Sequence, residues 1–148
     1  MLYLPDSNVL IYAKMASMNE HIEAREWLLA ALNDPDSTLL VCETTILSFL
    51  RITTNKKAFD PPLPFPEALS FISDLLASKH VRFHRSLPEH FVEVAKFMER
   101  HKMGGNLVMD VHLALVALST GATVVTRDAD FKKIRFLNIL NPFAFDES

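Results

Sequence analysis

Acidic residues in this chain fall where strands are expected to end. Asp6 closes "MLYLPD", Glu43 follows "STLLVC", and Asp128 with Asp130 lies in "TRDADF". Asp110 is the exception, set inside "LVMDVHLALVAL", where ten of twelve residues are apolar. A carboxylate on such a helix costs several kcal/mol to desolvate unless something compensates it. Carboxylates drawn together repel one another, and a cation relieves that repulsion. An all-oxygen set with no His or Cys cluster selects Mg²⁺ or Mn²⁺ over zinc. The residue types therefore point to Asp6, Asp110, Asp128 and Glu43 as a metal site, with Asp110 facing the ion directly or through water.

Such a site needs elements that bring distant residues together. "MLYLP" reads as a buried strand and "DSNVLIYAK" as the helix after it. "EHIEAREWLLAALN" has helical apolar spacing, "STLLVC" is a second strand, and "TTILSFLRITTN" a third helix. The proline-rich "KKAFDPPLPFP" is a loop, and Pro66 suits the first turn of "PEALSFISDLLAS". "VRFH" is a third strand and "PEHFVEVAKFMERHK" a helix that stops at two glycines. A helix over 106–119 follows, ended by Gly121. "ATVVT" is a fourth strand, "RDADFKKI" a loop or short helix, and "FLNIL" a candidate fifth strand. Strands alternating with helices predict an α/β fold, a parallel sheet covered on both faces. In such sheets sites lie at the carboxyl ends of the strands, where these acids fall.

Composition bounds the rest. One domain spanning 1–148 is expected from 148 residues, 49% hydrophobic and 22% charged. No apolar run reaches membrane-spanning length, and a single cysteine, Cys42, excludes a disulfide framework, so a cytoplasmic protein is expected. The net charge of −3 leaves no global basic footprint. Gly104, Gly105 and Gly121 are the only glycines, so neither a P-loop nor a dinucleotide fingerprint can be written.

Each acid also has an ordinary structural reading. Asp6 before "SN" suits a helix N-cap, Asp128 a turn, and Glu43 a first-turn acid at a helix dipole. Asp110 resists caps and turns, leaving a pairing with an arginine as its alternative.

The two ends of the chain resemble the PIN-domain ribonucleases, specifically the VapC-type toxins of type II toxin–antitoxin pairs. "LPDSNVLIYA" is similar to that family's opening motif, and "GNLVMDVHLALVAL…GATVVTRDADF" to its closing motifs. The resemblance implies a PIN-like three-layer α/β/α sandwich around a parallel sheet of four to five strands. It implies Asp6, Asp110 and Asp128 as metal-site acids, braced by Asn8 and Thr126. It also implies RNA cleavage leaving a 3′-hydroxyl and a 5′-phosphate, with transfer or ribosomal RNA as substrate, a small antitoxin partner and a homodimer. One departure stands out. The family's usual second acid is a Glu three residues before an Arg, and here Ser48 takes that place before Arg51. Glu43, five residues upstream of Ser48, points into the site only if it belongs to the strand end rather than the helix.

Basic residues gather near the motifs. Arg127, Lys132 and Lys133 are candidate RNA-phosphate contacts, and Lys14, Arg51, Lys56, Lys57 and Arg135 also lie close to the motifs. His80 and His84 flank a strand and would not converge on zinc, while His112 falls on another helix face from Asp110. Phe49, Phe59 and Phe65 are candidates for an antitoxin groove as well as for the core. A haloacid-dehalogenase-like phosphatase is disfavoured because Asn8 replaces its second Asp. The alternative kept is a PIN-fold module that binds RNA or a protein without cleaving.

Overall fold

Along β2 (Thr38–Cys42) successive side chains part to opposite faces. Leu39 and Val41 join one buried cluster, and Leu40 and Cys42 the other, as the two-residue repeat of a strand requires. A strand buried on both faces must be apolar almost throughout, which explains why "TLLVC" shows no polar alternation. The same holds for β1 (Leu2–Pro5) and β4 (Thr123–Val125), whose inner positions Leu4, Val124 and Val125 are fully buried. With β3 (Val81–His84) and β5 (Ile139–Leu140) they form a five-stranded, wholly parallel sheet in the order β3-β2-β1-β4-β5. The computed structural model describes residues 1–143; residues 144–148 of the expected domain span lie outside the described residues.

Four helices supply the first cluster: α1 (Ser7–Lys14), α2 (His21–Asn33), α3 (Glu43–Thr53) and α4 (Phe65–Ala77). Phe49 of α3 is fully buried and stacks on Phe71 of α4 with ring centroids 4.8 Å apart. Its aromatic face therefore serves the core, and the groove role considered for it does not apply. The opposite cluster is built by α5 (Pro88–Arg100) and α6 (Val108–Thr120). Two helical layers around one parallel sheet make the α/β/α sandwich. The expected fifth strand is short, and "RDADFKKI" contributes a 3₁₀ turn over Ala129–Lys133. Among the described residues no helix is long and apolar enough to cross a membrane.

The strand order positions the site. From β1 the chain winds outward to β2 and β3, then crosses back through α5 and α6 to lay β4 on the other side of β1. Connections leave β1 and β4 in opposite directions, so a crevice opens beyond their carboxyl ends. α6 begins later than its sequence pattern suggests. Gly105–Leu107 form a 3₁₀ turn in which the Leu107 N–H donates to the Gly104 carbonyl at 3.0 Å. Asp110 is therefore a first-turn residue of α6, where the helix dipole favours an acid, and not a mid-helix one.

Gly121 ends α6 in the left-handed region, with φ at +77° and its N–H on the Ala117 carbonyl. A Cβ there would meet nothing within 4 Å, so an added side chain costs only backbone conformational energy. Gly121→Ala is expected to lower stability by about 1 kcal/mol, read from urea unfolding. A neutral or stabilising result would show that the cap is not held in this conformation.

Candidate active site

Asp6 follows β1 directly and is the N-cap of α1. Its Oδ1 accepts from the Val9 N–H at 3.1 Å, while its own N–H extends the sheet by donating to the Val125 carbonyl. The capping role expected as an alternative is thus real, and it coexists with a place at the site, because Asp6 also lines the cavity beyond β1 and β4. Its second oxygen, Oδ2, accepts the Thr126 hydroxyl at 2.5 Å. Burial holds its carboxyl above the usual range, against the pull of these bonds, and the charge of Asp128 adds to the rise.

Hydrogen bonds continue from Thr126 along the loop after β4. The Thr126 oxygen accepts from the Asp128 N–H at 2.9 Å, and Asp128 Oδ1 accepts from the Asp130 N–H at 2.9 Å. Asp128 thereby caps the 3₁₀ turn as well as facing the cavity, which unites its turn reading with its site reading. This chain of bonds sets the spacing of the loop acids relative to Asp6.

Across the crevice, α6 brings in Asp110. One carboxylate oxygen each from Asp110, Asp128 and Asp130 lie within 4.8 Å of one another. Desolvation first, then the charges of Asp128, Asp130 and Asp6, push the Asp110 carboxyl up to about 6. Clustered carboxylates that share too little counter-charge behave this way. The donors are all oxygen, which suits a hard divalent cation. The cavity's roughly 220 Å³ far exceeds the ~10–15 Å³ that one water requires, leaving room for an ion with its waters and a phosphate group. Asp130 stands with Asp128 at the expected end of the fourth strand but outside the metal set read from the sequence; a 3₁₀ turn folds it back toward Asp110.

The wall opposite Asp6 is one face of α3. Thr44, Thr45, Ser48, Arg51 and Ile52 all line the cavity, with Ser7, Asn8 and Met109, and their spacing follows the helical repeat. Ser48 and Asn8 thus both line the cavity. Glu43 does not. It is the first residue of α3 rather than the end of β2, so five helical steps carry it about 140° around the helix from Ser48. It is exposed and lines a separate recess with Cys42, Thr44, His84, Ser86, Phe91 and His112. Sequence reading missed Thr44 and Thr45, whose signal was their place on the Ser48 face.

The basic residues divide. Arg127 donates to Glu20, and Lys133 pairs with Asp130 at 2.9 Å, so both already spend charge on acids, while Lys132 is exposed. Arg51 is a cation on the cavity wall itself. His112 is buried and faces Thr44 and His90, away from the acids.

The chain is similar in sequence and fold to known proteins. A family model described as PIN domain matches residues 3–137. Ribonuclease VapC31 of Mycobacterium tuberculosis is 30% identical over 143 residues, covering 95% of this chain and 99% of that protein. Ribonuclease VapC43 of the same species is 31% identical over 137 residues, covering 93% and 92%. Among solved structures, M. tuberculosis VapC20, described as a sarcin-ricin loop cleaving toxin, has a TM-score of 0.72 at 14% identity over 94% of this chain and 99% of its own. VapBC2 from Rickettsia felis bound to a promoter DNA fragment has a TM-score of 0.64 at 20% identity, covering 95% and 98%. At those identities the two structures speak for the fold alone.

The raised Asp110 pKa has a thermodynamic consequence. Its proton is held more tightly in the folded chain than in the unfolded one, whose carboxyl keeps its ordinary 3.8. Stability from this group is therefore complete below 3.8 and lost as pH rises through about 6. A divalent cation bound to the ionised cluster would offset that loss. Mg²⁺ is expected to raise the melting temperature more at about pH 7.5 than at about pH 5, and Asp110→Asn to shrink the difference. An equal Mg²⁺ effect at both pH values would show that the cluster does not hold the ion.

Proposed function

Because the chain belongs to the PIN-domain family, among its VapC ribonucleases, we propose that it is a divalent-metal-dependent endoribonuclease and the toxin of a toxin–antitoxin pair. The observation that carries this reading is the convergence of Asp110, Asp128 and Asp130 within 4.8 Å, in a crevice that Asp6 also lines. The residues suit Mg²⁺ or Mn²⁺, with Asp6, Asp110 and Asp128 as its holders and Asp130 alongside. When bound, such an ion supplies charge neutralisation at a phosphate oxygen and an acidified water.

The chain's own groups do the rest. Thr126 and the Val9 N–H hold Asp6 in one orientation, each using one lone pair per oxygen and leaving others for the site. Asp128 engages Oδ1 with the Asp130 N–H, and its second oxygen is suited to orient the attacking water. Arg51 on the cavity wall is placed to neutralise a substrate phosphate, and Lys132 to track the strand beyond. Attack in line leaves a 3′-hydroxyl and a 5′-phosphate, and transfer or ribosomal RNA is the substrate class.

An antitoxin needs a seat. An apolar groove lined by Leu50, Phe65, Pro66, Leu69 and Ile72 lies between α3 and α4, with Phe65 71% and Leu69 66% exposed. Such a surface fits the apolar face of a short partner helix. A homodimer is proposed on the family resemblance.

The second reading, a PIN fold that binds without cleaving, draws on Ser48 in place of an acid and on Glu43 lying outside the cavity. Cleavage of labelled RNA by partner-free protein separates the two. Activity is expected with Mg²⁺ or Mn²⁺, to vanish with excess chelator, and to fall by about a hundredfold or more in Asp6→Asn and in Asp110→Asn. RNA binding that survives chelation without any turnover would favour the binding module, and full activity in either variant would sink the site assignment.

A further inference from the structure

A hydrogen-bonded chain runs from outside the site to the cavity wall. His90 Nε2 lies 2.7 Å from His112 Nδ1, and His112 Nε2 lies 2.8 Å from Thr44 Oγ1. These residues come from α5, α6 and α3, so the chain exists only in the folded protein. At its inner end Thr44 lines the acidic cavity. Phe91 lies parallel to the His112 ring at 6.1 Å, and the His90 ring meets it edge-on at 4.9 Å, which confines its orientation. Two ring nitrogens 2.7 Å apart hold a single proton between them, so one ring donates there and the other accepts. A neutral imidazole then has one N–H and one acceptor nitrogen to divide between its two partners.

Two proton arrangements satisfy the chain, and they present opposite faces to the cavity. In one, His112 carries its proton on Nδ1 and donates to His90; its Nε2 then accepts the Thr44 hydroxyl proton, and Thr44 shows the cavity only lone pairs. In the other, His90 donates from Nε2 to His112 Nδ1, and His112 donates from Nε2 to Thr44. The hydroxyl proton is then free for another acceptor. The cavity already holds Asp6, Asp110 and Asp128, and a phosphodiester brings further anionic oxygens. A donor on this wall lowers the energy, while a lone pair raises it.

Two neighbouring features agree with an anion at this wall. α3 starts without a side-chain cap on its first N–H groups, which favours negative charge nearby. Thr45, beside Thr44 on the same wall, is buried, and its hydroxyl has no hydrogen-bond partner among the described residues.

We propose that Thr44 contacts the RNA backbone, donating its hydroxyl to a phosphate oxygen, and that His112 and His90 are positioning residues that keep that proton free by fixing one imidazole tautomer. This rests on the nuclease reading above and deepens it. It gives a use to a histidine pair, His112 buried and His90 half-buried, that the acid site does not employ.

The tautomer is readable in the protein alone. Long-range ¹H–¹⁵N correlation spectra are expected to show His112 protonated at Nε2 near neutral pH. On the kinetic side, Thr44→Val should lower kcat/KM roughly tenfold to a hundredfold, mainly through KM, and Thr44→Ser should restore most of it. His90→Leu, which removes the donor that fixes the tautomer, should weaken KM in the wild-type background and have no further effect beside Thr44→Val. His90→Gln, which keeps an N–H, should lose less. His112 protonated at Nδ1 in a protein that cleaves RNA would overturn the proposal, as would additive effects of His90→Leu and Thr44→Val. Absence of metal-dependent cleavage in the wild-type protein overturns the nuclease reading instead, so the two failures are distinct.

Discussion

The repulsion between carboxylates at the ends of β1 and β4 is the constraint around which this molecule is arranged. Asp6 and the Asp128 loop are adjacent because their strands pair in parallel, Tyr3 with Thr123 through Pro5 with Val125. Neither acid can move away without breaking that ladder. α6 then adds Asp110 to the same crevice, at a site where burial and three neighbouring negative charges raise its pKa to about 6. Acids crowded at a cleft at the expense of stability are the kind of perturbed groups that cluster at functional sites, and it is on this crowding that the proposed metal site rests.

Neutral donors, not opposing charges, hold Asp6 and Asp128 in place. Asp6 is satisfied by the Val9 N–H and the Thr126 hydroxyl, Asp128 by the Asp130 N–H. An arginine at any of these points would quench the charge that a cation needs. Arg127, the nearest basic residue in sequence, turns instead to Glu20. The cations Arg127 and Lys133 thus balance acids at the edge of the site, and Arg51 is left facing into it. The result is a crevice lined by acids with Arg51 on its wall, and the proposed nuclease role draws on that division of charge.

The wall formed by α3 shows how one helical step changes a residue's meaning. Glu43 and Thr44 are adjacent, yet Glu43 lines the outer recess alone, while Thr44 borders both recesses. The Thr44–His112–His90 chain crosses from the sheet's α3 side to the α5–α6 layer, so packing of the two layers and polar chemistry at the cavity are mechanically joined. His112 is two residues from Asp110 and points elsewhere, as a 100° step per residue demands. One helix therefore serves the acid cluster and the histidine chain from different faces.

Much of this was legible in the sequence, because it depends on local and periodic causes. Apolar runs of four or five residues, capped by turn residues and alternating with amphipathic stretches, dictate strands and helices whatever lies around them. The motifs at the two ends carry Asp6, Thr126 and Asp128 just beyond strand termini and Asn8 in the first turn of α1, and a parallel sheet sends strand termini to one edge. What the sequence could not settle was angle and distance. Whether Glu43 is the last strand residue or the first helical one turns it into or out of the cavity, and only the packed junction of β2 and α3 decides it. Asp130 joins Asp110 because a 3₁₀ turn folds it back, and Phe49 is core because α4 stacks against it. The histidine chain links residues 44, 90 and 112 across three helices, and no local pattern encodes such a meeting. Short-range propensity therefore determined the elements by sequence alone, and the end motifs pointed to the acids. Tertiary structure decided which side chains meet, because that depends on how helices rotate to bury their apolar faces.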